Sequence, residues 1–120
     1  MILAIDTSGS LNQIMIWQAG HFYSSRWQSG KSDTEKLLLQ IDKIFRQHQL
    51  SPSQIKKIII YPGPGSYTGL RVGFSLVGVL ALANKSEIYA ATDKNLRKEI
   101  IKLQKNIGLI KNPKPIYQTF

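Results

Sequence analysis

Lys57-Ile58-Ile59-Ile60-Tyr61-Pro62-Gly63-Pro64-Gly65-Ser66-Tyr67-Thr68-Gly69-Leu70-Arg71-Val72-Gly73 runs from an unbroken isoleucine stretch, through a double Pro-Gly turn, into a helix start. A continuous β-branched run is typical of a strand covered on both faces. Two prolines fix φ at alternate positions and two glycines open φ values closed to other residues, so the loop is expected to be rigid. Ser66 suits the N-cap and leaves free N–H groups at the helix start. Such an end can take an anion, and it reads equally as a capped turn after a buried strand. No Gly-Lys-Ser/Thr closes the loop, so it is not a Walker motif.

Upstream, Ile2–Ile5 ends in Asp6-Thr7-Ser8-Gly9-Ser10 and reads as a buried strand running into a turn. Gln13–Trp17 and His21–Trp27 are β-prone and close enough for a hairpin. A helix is expected from Asp33 or Thr34 to about His48, with Leu37, Leu38, Ile41, Ile44, Phe45 and His48 on one face and Leu39 opposite. Downstream, a second helix is expected over Tyr67–Ala83 and a strand over Glu87–Ala91. A last helix, capped by Thr92 or Asp93, is expected to reach about Asn106, with Leu96, Ile100, Leu103 and Ile107 as its apolar stripe. The order βββαβαβα with a mixed sheet is that of one RNase H-like lobe of the actin-like ATPase superfamily, an α/β fold. The expected organisation is a lobe over 1–92, a basic amphipathic helix over 93–110 and a loosely held extended tail over 111–120.

The chain has 120 residues, 42% of them apolar, a net charge of +9, no cysteine and two histidines. That suits one core-bearing domain and excludes a disulfide framework, a thiolate zinc site and a cysteine nucleophile. Met1–Asp6 lacks a basic leader, and the longest uncharged run, Val72–Asn84, is 13 residues, so neither a signal peptide nor a membrane span is expected. The expected location is cytoplasmic. Residues 85–120 hold eight basic and three acidic groups, against eight and four in residues 1–84, which concentrates the excess in the last third.

Asp6 stands where an ATPase lobe holds magnesium, and Thr7, Ser8, Ser66 and Thr68 stand where its turns face phosphate. The same Asp6 reads as an Asx-type turn acceptor. A two-metal nuclease needs several converging carboxylates; the fourth strand ends without an acid and Glu35 lies at the wrong end of its helix, which argues against that activity. The second helix is apolar all round from Val72 to Ala83, more than a small sheet covers, so one side is expected to meet a partner protein. Gly69, Gly73 and Val77 form a narrow seam where another helix could approach. On the last helix, Lys98, Lys102 and Lys105 share a basic face that reads either as solvated or as a contact for RNA phosphates.

Ile2-Leu3-Ala4-Ile5-Asp6-Thr7-Ser8, the Asp33-Thr34-Glu35-Lys36-Leu37-Leu38 helix start and, above all, the Gly63–Gly73 run resemble the TsaB (YeaZ) family of bacterial tRNA threonylcarbamoyladenosine biosynthesis proteins. The resemblance covers about residues 1–91. It implies a non-catalytic scaffold subunit that pairs, through a bundle of its first two helices, with a TsaD-like transferase joined by a TsaE-like ATPase. The contact residues implied are Leu39, Lys43, Gly69, Leu70, Gly73, Phe74 and Val77. It also implies no cofactor on this chain alone, with ATP and magnesium entering only through the complex, and tRNA contacted indirectly. Family members carry a second lobe, so the expectation is a chain reduced to the interface half. Asp33 replaces a common histidine, and Ala90-Ala91-Thr92-Asp93-Lys94 replaces the usual Gly-Val-Ser-Thr-Leu. A reduced nucleotide-binding phosphotransferase and a self-associating degenerate paralogue are the alternatives.

Overall fold

A computed structural model describes residues 1–30 and 32–117. The elements are β1 (Ile2–Asp6), β2 (Leu11–Gln18), β3 (His21–Gln28), α1 (Asp33–Gln47), β4 (Lys57–Ile60), α2 (Tyr67–Asn84), β5 (Glu87–Ala90) and α3 (Leu96–Gln104), in the expected order. The sheet order is β3-β2-β1-β4-β5. β1–β2 and β2–β3 pair antiparallel, whereas β1–β4 and β4–β5 pair parallel. This is the mixed sheet of an RNase H-like lobe. Ala19 and Gly20, with φ of 51° and 83°, make the two-residue turn between β2 and β3, as the right-handed twist of a hairpin favours.

The isoleucine run is explained by what lies on either side of β4. Ile58 and Ile60 join Leu3, Ile5, Ile14 and Ile16 under α1 and α2. Ile59 joins Ile2, Ala4 and Tyr89 under α3. Strand alternation thus feeds two apolar layers at once, and β1 is buried at every position.

α1 buries Leu37, Ile41, Ile44 and Phe45. It is held over β3 by the Ser25 hydroxyl, which donates to Gln40 Oε1 at 2.7 Å, and by Tyr23 and His48, whose rings stack at 3.9 Å. Leu38, expected inside, lies one helical step beyond that stripe and is 50% exposed. α2 is 18 residues long with a mean hydropathy of 1.2, so by length and composition it could cross a membrane. It exceeds the 13-residue uncharged run because it also takes in Tyr67–Arg71. Its Gly69, Leu70, Gly73 and Val77 face packs on the sheet, which makes it a covering helix of the α/β layers.

α3 begins later than expected. Asn95, not Thr92 or Asp93, is the N-cap, its side chain accepting from the Lys98 N–H. Thr92 and Asp93 are instead tied back to the buried Glu99, whose Oε1 accepts from the Thr92 N–H and, at 2.7 and 2.9 Å, from the Thr92 hydroxyl and the Asp93 N–H. Leu96, Ile100 and Leu103 pack against Ile2, Ala4 and Ile59, so α3 belongs to the same packed body as the lobe. Ile107, expected in the stripe, lies past the helix end and is exposed.

The tail over 111–117 is stitched down rather than loose. Ala90 N–H donates to Ile110 O, Asn112 N–H to Ile88 O, Ile116 N–H to Pro62 O and Gly65 N–H to Ile116 O. Lys111 pairs with Glu87 at 2.7 Å, and Leu109 is buried in the α3 layer. The free β5 edge and the Pro-Gly loop each supplied unpaired backbone groups, and the tail satisfies them. Gln118–Phe120 lie outside the described residues.

Candidate functional site

Two surfaces gather the residues singled out in the sequence. The first is the turn at the carboxyl end of β1. Asp6 is buried, and its Oδ1 accepts from both the Ser8 N–H at 2.9 Å and the Ser8 hydroxyl at 2.6 Å, an Asx-type turn. The buried Thr7 hydroxyl donates to Gly69 O at 2.6 Å. Ser66 N–H donates to Ser8 O at 2.9 Å, and the Ser66 side chain accepts from the Gly69 N–H at 3.2 Å. The Pro-Gly loop and α2 are therefore knitted onto the β1 turn. The Thr7 hydroxyl is committed to the Gly69 carbonyl and the Ser8 hydroxyl to the Asp6 carboxylate, so neither hydroxyl is turned toward a ligand in this arrangement. Thr68 is exposed and lies on the groove described next. Among the described residues, no group of three or more His, Asp or Glu side chains converges as a metal site.

Gly69 and Gly73 allow this closure. A Cβ on Gly69 would overlap the Thr7 carbonyl, and one on Gly73 would overlap the Thr7 hydroxyl. The small-residue seam thus accommodates the end of β1, not a helix from outside. Gly69, Leu70, Gly73 and Val77 are all buried within the chain and are removed from the expected contact set. Phe74 is half-buried against the core, while Leu39 and Lys43 are exposed on α1.

The second surface lies on the outer side of α1 and α2. With the seam turned inward at about 100° per residue, Tyr67, Arg71, Ser75, Val79 and Leu82 fall on the opposite side of α2. Tyr67, Val79 and Leu82 are 56%, 66% and 85% exposed; on α1, Leu38 is 50% exposed across the groove and Leu39 is 62% exposed on the side of the helix away from its buried stripe. Between the helices runs an open groove of about 550 Å³, lined by Leu37, Leu38, Tyr67, Arg71, Val72 and Val79 among others. Leu38, Tyr67, Val79 and Leu82 were not among the residues singled out from the sequence for this face. Their signal was the helical wheel, once the glycine seam is assigned to the interior.

The basic face of α3 is divided by its partners. Lys102 donates to the Thr92 hydroxyl at 2.9 Å, and its ammonium lies 3.2 Å from Glu99 Oε2, outside hydrogen-bond alignment, so that pair acts through charge. Burial opposes ionisation of Glu99, but the Thr92 hydrogen bonds and the Lys102 ammonium outweigh it and hold the carboxyl below its ordinary range. Lys102 is thereby a structural cation. Lys98 and Lys105 are exposed, Lys98 lying 3.8 Å from Asp93.

Layer order, strand register and the knitted β1 turn define a single RNase H-like lobe. The YeaZ structure from Pseudomonas aeruginosa superposes with a TM-score of 0.73 at 22% identity, covering 87% of this chain and 49% of that one, which supports the same fold. A family model described as TsaD, tRNA N6-adenosine threonylcarbamoyltransferase, matches residues 28–111, and the chain belongs to that family. Within it, the chain is a TsaB/YeaZ-type protein. The TsaB of Buchnera aphidicola from Schizaphis graminum is 28% identical over 89 residues, covering 74% of this chain and 42% of that protein. Escherichia coli TsaB is 30% identical over 81 residues, covering 68% and 35%. The chain thus spans well under half the length of these curated relatives. Both are described as tRNA threonylcarbamoyladenosine biosynthesis proteins.

Proposed function

We propose that the chain acts in tRNA threonylcarbamoyladenosine biosynthesis as a non-catalytic scaffold, docking the outer face of α1 and α2 against a TsaD-like transferase subunit. The observation that carries this reading is the apolar groove between the two helices, rimmed by the exposed Leu38, Tyr67 and Val79, with Leu39 and Leu82 exposed further out on the same two helices. Clustered apolar exposure of this kind marks protein interaction surfaces, because burying it on a partner removes it from water. The transferase description of the matching family model supplies the class of partner. A TsaE-like ATPase joins such a complex in this reading, and the setting is cytoplasmic.

The commitment of the Thr7 hydroxyl to the Gly69 carbonyl, of the Ser8 hydroxyl to the Asp6 carboxylate and of the Ser66 side chain to the Gly69 N–H supports a reading without catalysis or nucleotide binding by the chain alone. ATP and magnesium then enter through the complex. Calorimetry of the isolated chain with magnesium and ATP is expected to give no tight binding; submicromolar affinity would favour the phosphotransferase reading. Co-expression with the transferase subunit is expected to yield a co-purifying complex. A stable homodimer through the same face, with no transferase retained, would instead support self-association.

A further inference from the structure

A second cavity, of about 570 Å³, lies on the opposite side of the sheet from the α1–α2 groove and is lined by Arg26, Lys94 and Arg97 together with Asp6, Gly9 and Gln13. Arg26 projects from β3, directly opposite Gln13 in the β2–β3 register. Gln13 Nε2 donates to Lys94 O at 2.7 Å, which pins the approach to α3 onto the sheet and brings Lys94 toward Arg26. Lys94 Nζ lies 5.4 Å from the Tyr61 ring centre, and the Arg97 guanidinium lies 4.4 Å from that of Phe22. Aromatic support of this kind orients a cation without neutralising it. Asp6, 1% exposed, is the one carboxylate on the lining, and its Oδ1 is occupied by Ser8.

Arg97 also borders a neighbouring hollow of about 360 Å³ along α3, which Lys98 and Lys105 line. The two hollows share Asn95 and Arg97 and so adjoin; Ile101 and Ile107 also line the second, and the cations follow one another along the edge of both as a track. From Arg97 to Lys105 it extends about 12 Å at the helical rise. Of the two carboxylates nearest α3, Glu99 is buried and paired with Lys102, leaving only Asp93 exposed.

We propose that this track binds RNA directly, with Arg26, Lys94 and Arg97 receiving one phosphate and Lys98 and Lys105 the next along the strand. Planar guanidinium groups and exposed ammonium groups on a grooved surface match the phosphodiester backbone, and the exposed Lys98–Asp93 pair at 3.8 Å is loose enough to exchange for a phosphate. Spacing along a track, rather than convergence on one point, suits a polymer over a single anion. The choice of RNA among phosphate carriers rests on the proposed role in tRNA modification; the cationic track itself does not.

The test is fluorescence-anisotropy titration of labelled unmodified tRNA with the whole chain, without any partner, across a salt series. The triple variant Lys94→Gln, Arg97→Gln, Lys105→Gln is compared with a charge-matched triple, Arg46→Gln, Lys56→Gln, Lys85→Gln, at the other end of the sheet. The first is expected to lower affinity about tenfold or more and to reduce the log–log salt slope by about 1–2, two phosphate contacts being worth roughly 0.7–0.9 each. The second is expected to change neither by more than about twofold. Because Arg97 packs on Phe22, the exposed pair Lys94→Gln, Lys105→Gln is run alongside and is expected to show the same trend at an unchanged unfolding midpoint. Equal losses in both triples, or no loss in the first, would overturn the proposal. So would displacement of tRNA by ATP or by polyglutamate at equal charge concentration. A failure here leaves co-purification with the transferase untouched, so the two readings fall separately.

Discussion

The Thr7 hydroxyl donates to the Gly69 carbonyl at 2.6 Å, bridging 62 residues of sequence to join the end of β1 to the first turn of α2. That bond fixes the first turn of α2 on the end of β1, and it sets the rotation of α2. With Gly69 and Gly73 against Thr7, the residues Tyr67, Val79 and Leu82 are left outside.

Enlarging the seam should therefore damage the fold rather than an interface. Gly69→Ala places a methyl group on the Thr7 carbonyl, where backbone must move, and is expected to cost about 2–3 kcal/mol or more. Thr7→Val, which removes one buried hydrogen bond while keeping the shape, is expected to cost about 1–2 kcal/mol. Urea unfolding midpoints at constant m-value measure both.

Glu99 gives stability a defined pH dependence. Its folded-state pKa lies below the unfolded value near 4.5, so the unfolded chain binds the proton more readily. Its contribution is complete above that value and is lost as pH falls through the lower folded one. The exposed Glu87, held down by Lys111, and Asp93, held down by the Asn95 N–H, act in the same direction. Glu99→Gln is expected to lower stability at pH 7 by about 1–3 kcal/mol and to flatten the fall below pH 4.5. Unfolding free energies at a series of pH values for both proteins measure this, and parallel curves would exclude Glu99 as the source.

The stitched tail and the segment leading into it predict unequal costs. Leu109→Ala, just before the tail, opens the layer under α3 and is expected to cost about 2–3 kcal/mol, whereas Ile116→Ala, in the tail at a position 53% exposed, is expected to cost less than about 1 kcal/mol. Thermal unfolding of the two variants separates these values. Equal and negligible effects would restore a loosely held tail.

The architecture was legible because each strand carried its own punctuation. The isoleucine run of β4, the Pro-Gly loop and the Ser66 cap state their roles within a few residues. What was not legible depended on contacts distant in sequence. The glycine spacing of α2 looks the same whether a partner helix or the end of β1 fills it, and only the Thr7–Gly69 contact decides. Thr92 and Asp93 are good caps locally, yet the buried Glu99 claims their N–H groups and passes the cap to Asn95. Lys102 lies on the same basic face as Lys98 and Lys105, and its commitment to Glu99 follows from burial, which charge patterning does not reveal. The cavity cations Arg26 and Lys94 come together only through the register of β2 with β3 and the bond from Gln13 to the Lys94 carbonyl.

Docking of a transferase subunit on the outer α1–α2 face, proposed above, is open to direct test. The most direct measurement is the affinity of the purified chain for that subunit, by calorimetry or sedimentation, for the parent and for Leu39→Glu, Val79→Glu, Leu82→Glu. These positions are 62%, 66% and 85% exposed, so the folded state should tolerate the change. The parent is expected to bind and the variant to lose at least about a hundredfold in affinity, at an unchanged unfolding midpoint, since three charges would then be buried without partners. Parental binding that survives all three substitutions, or no binding by the parent, would contradict the proposed docking.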